Sequence, residues 1–483
     1  MINTDTHYPN QPARWWQSRN NWLWFLLTSL LFLGHLLTTR YKELYGDSWF
    51  YWHLANSFDQ EGASQFSIYN FDSALRGYLL PLLYYPAVQL VRNVLPENLE
   101  QVVKVLGALW AGALFGVVCP LLWQKVTGMA VSSLRRLLFV GVCFMLWRDY
   151  FNFVLSDFPS MLALALALLL AYRVQSLWAA AAVGALVAAA VYVRPLNLLT
   201  APFLVALMVQ QVRVYQAGKG GFIVPASMRV ALFALAFLLV GIPQYLINVN
   251  NYQEKTFLVL AKGANERKLN ETDNLYLFKL NEGLVNQRYE TNVGANYPQP
   301  QAVFIDLAGR AMVAQINWHQ FESYPEYFFY VLRHPFDILG VYMRHLFNGL
   351  DVLYAGPYVH NLYGSTMLNS FVVYTVLFLA LVVIVVRIHL VRFSHWLVIG
   401  ALVITCLASM PLMVECRFFI PLHLLLYAVA CYGWPADWGW KQATTQKRLA
   451  LVAAYSLFFL LCLAISSNTQ AMLEKKPKTI QAS

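Results

Sequence analysis

The sequence predicts an all-α polytopic membrane protein with about 11 transmembrane helices, external juxtamembrane helices and one long external loop. Three observations carry this. Of the 483 residues, 59% are apolar or aromatic and 12% are charged, about half the ~25% charge of a soluble domain. Apolar stretches of spanning or near-spanning length recur along the chain. The net charge of +10 collects in the short segments between alternate stretches, as it does on the inner side of membrane proteins.

The apolar stretches fall at 20–38, 102–123, 136–150, 158–172, 177–192, 196–211, 230–247, 367–386, 395–413, 418–434 and 449–466. No small-residue cleavage site follows the first, so it reads as a retained span and no signal peptide is evident. Segment 78–95 is also apolar, but it holds Pro81, Pro86 and Arg92. Charge decides its place. With the N-terminus inside and 78–95 on the surface, the inner segments hold fourteen Lys and Arg against Asp5 and Asp437. Making 78–95 a span exports most of that basic set, against the positive-inside rule. It is therefore expected to be an interfacial helix on the outer face.

Two external segments follow, 39–101 and 248–366. The second carries 20 of the 58 charged residues, and a segment of that length is usually functional. This divides the chain into an N-terminal transmembrane module (1–247), the large external segment (248–366) and a C-terminal transmembrane module (367–483). Tyr327–Leu353 is rich in apolar and aromatic residues, which suits a helix or a stretch lying along the membrane. Gly112 and Gly116 form a GxxxG pair, expected to permit close helix packing. Asn270-Glu-Thr272 is a formal glycosylation sequon.

Several classes are disfavoured. Cys119, Cys143, Cys406, Cys431 and Cys462 lie in apolar stretches and Cys416 at a helix end, which argues against a disulfide framework or zinc site. No phosphate-loop, dinucleotide or HExxH signature appears. The positive charge marks topology, and no nucleic-acid partner is expected.

The chemistry-bearing residues lie at external helix ends. Asp47, in Gly46-Asp47-Ser48, sits among aromatic rings. There a carboxylate can have a raised pKa and act as a general base, or it can cap the helix over 48–58. Asp157 begins a span on the same side, with Pro159 in its first turn; it is a second acid or again a cap. Two such carboxylates could share a substrate hydroxyl or a divalent cation. Arg76, Arg194 and Arg417 lie on that side and suit a phosphate headgroup. The alternatives are snorkelling side chains, or a Glu415–Arg417 pair. His53 could line the site or be an interfacial polar residue.

These residues resemble the GT-C superfamily of lipid-linked glycosyltransferases, nearest to glycosyltransferase family 39, which includes protein O-mannosyltransferases and lipid A aminoarabinose transferases. Asp47-x-x-x-Tyr51 is similar to an acidic motif after the first span, with Ser48 where the family has a second acid. Arg76-Gly77-Tyr-Leu-Leu-Pro81 resembles a basic residue before a juxtamembrane helix. Ser156-Asp157 resembles a Thr-Asp element, and Arg194-Pro195 a basic residue before proline. Arg417-Phe-Phe-Ile-Pro421 resembles a late Arg-Tyr-x-x-Pro element, with Phe418 for tyrosine. The resemblance covers about 20–250 and 415–421.

The resemblance implies a polyprenyl-phosphate sugar donor entering from the bilayer, a lipid, glycan or protein acceptor, and inversion in one displacement. Asp47 would be the catalytic base and Asp157 would orient the acceptor or a metal (Mg or Mn). Tyr51, His53, Arg76, Arg194, Glu415 and Arg417 would bind substrate. The expected location is a bacterial inner membrane with the site facing the periplasm. The alternative is a transporter or flippase of a lipid-linked solute. Transporters tend to place charge near the midplane within inverted repeats, and neither feature appears in the sequence. A non-catalytic role in envelope assembly is a third option.

Overall fold

A computed structural model describes residues 19–59, 65–173, 176–219, 225–262, 274–315, 320–434 and 444–475. The sequon at Asn270 lies outside the described residues. So do Asp5, Arg14, Lys441 and Asp437 of the inner segments.

Each of the eleven apolar stretches is helical. They are α1 (Arg19–Thr38), α4 (Leu99–Ala111) running through a π-helical turn into α5 (Cys119–Thr127), α6 (Ser133–Trp147), α7 (Asp157–Ala171), α8 (Leu177–Val193), α9 (Ala201–Lys219), α10 (Ala226–Tyr252), α15 (Met367–Arg387), α16 (Phe393–Ser409), α17 (Ile420–Tyr432) and α18 (Thr445–Ala471). Among the described residues six segments are long and apolar enough to cross a membrane: α1, α4–α5, Pro195–Gln216 (a 3-10 turn and most of α9), α10, α15 and α18. The chain is a mainly helical membrane protein.

Contacts at the helix ends sort the bundle. At one end Arg136 donates to Asn21 Oδ1 (3.4 Å), Arg135 to Tyr432 O (2.9 Å) and Arg229 to Ser176 O (3.3 Å). At the other, Thr39 donates to Asn152 Oδ1 (2.6 Å) and Ser466 to Asp351 Oδ2 (2.6 Å). The helix ends read from charge as inner thus meet one another, and so do those read as outer.

The glycine pair does what its spacing suggests. Gly112 and Gly116 lie in the π-helical turn against α1. A Cβ on Gly112 would stand 2.0 Å from Ser29 Oγ, and one on Gly116 2.7 Å from Trp24 O. All six cysteines are free and buried.

Segment 78–95 forms α3 (Leu79–Asn93). Leu80, Tyr84, Ala87, Val88 and Val91 make its buried stripe. The stripe packs with Tyr51 and Ala55 of α2 (Gly46–Asn56). Arg92 reaches Asp59 at 2.7 Å.

Segment 248–366, expected to be external, holds more structure than its composition suggests. It contains α11 (Leu275–Val285), α12 (Leu307–Ala314), α13 (Tyr324–Arg333), α14 (Pro335–Leu350) and a three-stranded sheet. β1 (Asn286–Asn292) lies between antiparallel β2 (Gln301–Ile305) and parallel β3 (Tyr358–Val359). A strand was not expected here, because β1 lacks alternating apolar residues. It is buried on both faces: Tyr289 packs into an apolar cluster with Val414 and Phe419, while Arg288 and Glu290 on the other face pair at 2.7 Å through Arg288 Nε. The end of α18 reaches the sheet edge, where Ile305 N donates to Met472 O at 3.0 Å.

Candidate functional site

Asp47 is the second residue of α2. Tyr45 takes the cap position and no side chain caps it. The Asp47 carboxylate is therefore free of the capping role. Gly46 adopts a φ of 45°, and a Cβ added there would stand 3.4 Å from the Tyr358 ring. Tyr358, from β3, fixes the turn: its hydroxyl donates to Tyr45 O (2.6 Å) and accepts from Ser48 N (3.2 Å). Ser48 Oγ accepts from Val154 N at 2.7 Å. The residue standing in place of a second acid thus ties α2 to the chain just before Asp157.

Arg76 donates to Asp47 Oδ1 at 2.6 Å, and its guanidinium lies over the Tyr51 ring at 5.3 Å. Its loop is held from below. A Cβ on Gly77 would sit 2.0 Å from Tyr192 O, and the Tyr78 hydroxyl donates to Val240 O at 2.6 Å. Arg417 lies in a 3-10 turn just before α17 and donates from Nη2 to Asp47 Oδ2 at 3.0 Å. Its Nε donates to Glu415 Oε2 at 2.6 Å, and its Nη1 faces Asp157 Oδ2 at 3.8 Å.

Asp157 is the first residue of α7 behind Ser156, and its side chain makes no capping bond to the helix. It pairs with Arg194, which follows the last turn of α8. Among the described residues no hydrogen-bond donor reaches the buried Asp157 Oδ2. Glu415 also accepts from the Tyr289 hydroxyl of β1 at 2.7 Å. Seven of the eight residues singled out in the sequence therefore form one cluster. His53 does not join it. His53 is exposed and stacks on Trp49, with ring centroids 5.2 Å apart.

Sequence reasoning missed Lys279. This residue of α11 places its ammonium 5.2 Å from the Phe418 ring centroid, beside Arg194 and Arg417, which lie over the same ring. Arg76, Arg194 and Arg417 each meet a carboxylate. Among the described residues Lys279 has none within ion-pair distance. Burial, reinforced by Arg76, pulls its ammonium down to about 8. The cluster holds four cations against Asp47, Asp157 and Glu415, leaving one positive charge.

The raised pKa expected of Asp47 is not found. Burial pushes its carboxyl up, but Arg76, then Arg417 and Lys279, outweigh that and hold it well below the usual carboxylate range. Alone it is a weak base.

The donor set does not fit a resident divalent cation. Each carboxylate is engaged by a guanidinium, the local charge is positive, and Ser48, which could have supplied a ligand, is occupied by Val154 N. Among the described residues no three His, Cys, Asp or Glu side chains gather as a metal site. The arrangement suits an anion instead.

A small crevice opens beside the cluster. Asp157, Arg194 and Phe418 line one part, and Met161, Leu164 and Leu196 give it apolar walls between α7 and the start of α17. Charged groups and apolar walls therefore share one space. No protein-family model, curated protein or solved structure matches the chain.

Proposed function

We propose that this chain is a membrane glycosyltransferase that moves a sugar from a polyprenyl-phosphate donor to an acceptor at the outer face, with inversion. One observation carries the reading. Four cations from α11, the loop before α3, the end of α8 and the turn before α17 converge on helix ends beside a small crevice lined in part by apolar side chains. A ligand with an anionic head and a long apolar tail satisfies both halves. In this reading all eleven apolar helices cross the membrane. The cluster faces the periplasm of a bacterial inner membrane.

The chemistry follows from the ion pairs. The donor phosphate enters and takes up Arg194, Arg417 and Lys279. Arg417 then turns from Asp47 towards phosphate, and the pKa of Asp47 rises as its neighbour's charge is shared. An acceptor hydroxyl beside Asp47 gives its proton to that carboxylate as its oxygen attacks the anomeric carbon. The bond from anomeric carbon to phosphate oxygen breaks, and the electron pair leaves on polyprenyl phosphate. Preplaced guanidinium groups stabilise that developing charge. Arg76 keeps Asp47 oriented, and Tyr51 supports Arg76 through its ring.

Binding of the leaving group tests the reading without knowledge of the sugar. Purified protein should bind polyprenyl phosphate saturably, and Arg194→Gln should weaken binding at least tenfold. Equal binding by Arg194→Gln and the parent protein would remove the phosphate site.

A further inference from the structure

One large apolar surface takes no part in the proposed chemistry. α13 and α14 are consecutive helices separated by His334. Each has a buried face: Tyr327 and Tyr330 on α13, and Ile338, Val341 and His345 on α14. On a helix with water on its far side, the opposite face is polar. Here it is apolar. Phe328, Phe329 and Leu332 project from α13, and Phe336, Leu339 and Met343 from α14, with Phe336 86% exposed. The spacing of 336, 339 and 343 puts the α14 set on one stripe opposite its core residues. Asp337 and Arg344 flank that stripe, and Arg344 is tied to Asp306 at 2.7 Å. Such helices, apolar on two faces, are stable where one face meets protein and the other meets hydrocarbon.

Its position supplies the occupant. His345 Nδ1 stands 2.8 Å from Met410 O, just past the end of α16, and His423 Nε2 of α17 stands 2.8 Å from Gly349 O. Leu412, in the turn after α16, packs into the small core formed by α11 to α14. The Tyr276 hydroxyl of α11 donates to Ala408 O at 2.7 Å, next to Leu407, which is half exposed on α16. The protein-facing sides of α11 to α14 are therefore docked at the ends of the apolar helices α16 and α17, which leaves the opposite apolar side of α13 and α14 facing outward at the end of the bundle.

We propose that α13 and α14 lie in the outer leaflet, with Phe328, Phe329, Leu332, Phe336, Leu339 and Met343 among the lipid acyl chains. The external segment is then anchored to the membrane by its own helices as well as to the bundle. This holds whatever reaction the charged cluster performs.

Spin labels on single introduced cysteines test it, because all the sites are exposed and the native cysteines are buried. Leu339→Cys, Met343→Cys and Asp337→Cys would be labelled in full-length protein and reconstituted in phosphatidylcholine–phosphatidylglycerol vesicles. Labels at 339 and 343 should collide several-fold more with oxygen than with a water-soluble nickel chelate, and the label at 337 should favour nickel. Equal nickel access at all three positions puts the helices in water and overturns the proposal. Protection from both reagents at 339 and 343 means a protein surface, a second copy or another partner, and overturns it equally.

Discussion

Asp47 and Arg417 are separated by 370 positions in the chain, and their side chains meet at 3.0 Å. That contact joins the first external helix to the turn before α17. The same guanidinium bonds Glu415 and faces Asp157. With Arg76, whose effect is the larger, it holds Asp47 ionised, and so couples the charge on Asp47 to whatever draws Arg417 away.

Asp47→Asn keeps the size of the side chain and removes its charge. Transfer should fall by about 10²–10⁴, the usual contribution of a positioned base. The variant should still elute as a folded, monodisperse species in detergent. Release of polyprenyl phosphate from a labelled donor measures the first effect, and size-exclusion chromatography the second.

Lys279 gives a pH signature. With an ammonium drawn down to about 8 by burial and Arg76, it is charged below that pH and loses its charge as pH rises through it. The KM for an anionic donor should rise above pH 8. Lys279→Arg should flatten the rise, since guanidinium stays charged. Lys279→Met should raise KM about 10- to 100-fold at neutral pH, from the roughly 1.5–3 kcal/mol of a hydrogen bond to a charged group. An unchanged KM in Lys279→Met would remove Lys279 from the site.

Arg288 stabilises the sheet. It is buried between Glu290 and Asp351, and Asp351 also accepts from Tyr374 at 2.8 Å and from Ser466. Burial pushes both carboxyls up against the pull of Arg288. Arg288→Met leaves two buried acids uncompensated and should cost about 3–5 kcal/mol. Adding Glu290→Leu and Asp351→Leu should recover much of that loss. Thermal unfolding in detergent reads both changes.

Gly112→Ala places a methyl group against Ser29 on α1 and should destabilise by about 1–3 kcal/mol. Gly141 has nothing within 4 Å of an added Cβ. Gly141→Ala should stay within about 0.5 kcal/mol of the parent. Parallel melting curves separate the two.

The helices were legible because lipid demands long apolar runs and a charge bias between them, and both are written residue by residue. The cluster was legible at its helix ends, where Asp47, Asp157, Arg76, Arg194 and Arg417 stand out against apolar neighbours. β1 was hidden because its buried positions include Arg288 and Glu290, whose polarity is met by each other, by Asp351 and by the Asn348 carbonyl. Lys279 was hidden for a related reason. Leu277, Leu280 and Leu284 form the buried stripe of α11, so periodicity assigns Lys279 to a water-facing side. That side meets Phe418. Tyr289 and Tyr358 act on the site from the external segment, and no local pattern marks such long-range contacts.

The most direct measurement is turnover of a polyprenyl-phosphate sugar by the purified protein. A panel of donors, each labelled in the sugar and in the lipid, would be incubated with reconstituted enzyme and a membrane-extract acceptor. The account predicts that one donor releases polyprenyl phosphate while its sugar appears on acceptor with inverted configuration, and that Asp47→Asn lowers both signals by about 10²–10⁴. Release and transfer undiminished in Asp47→Asn, or flipping of intact donor across the bilayer with its sugar–phosphate bond unbroken, would contradict it.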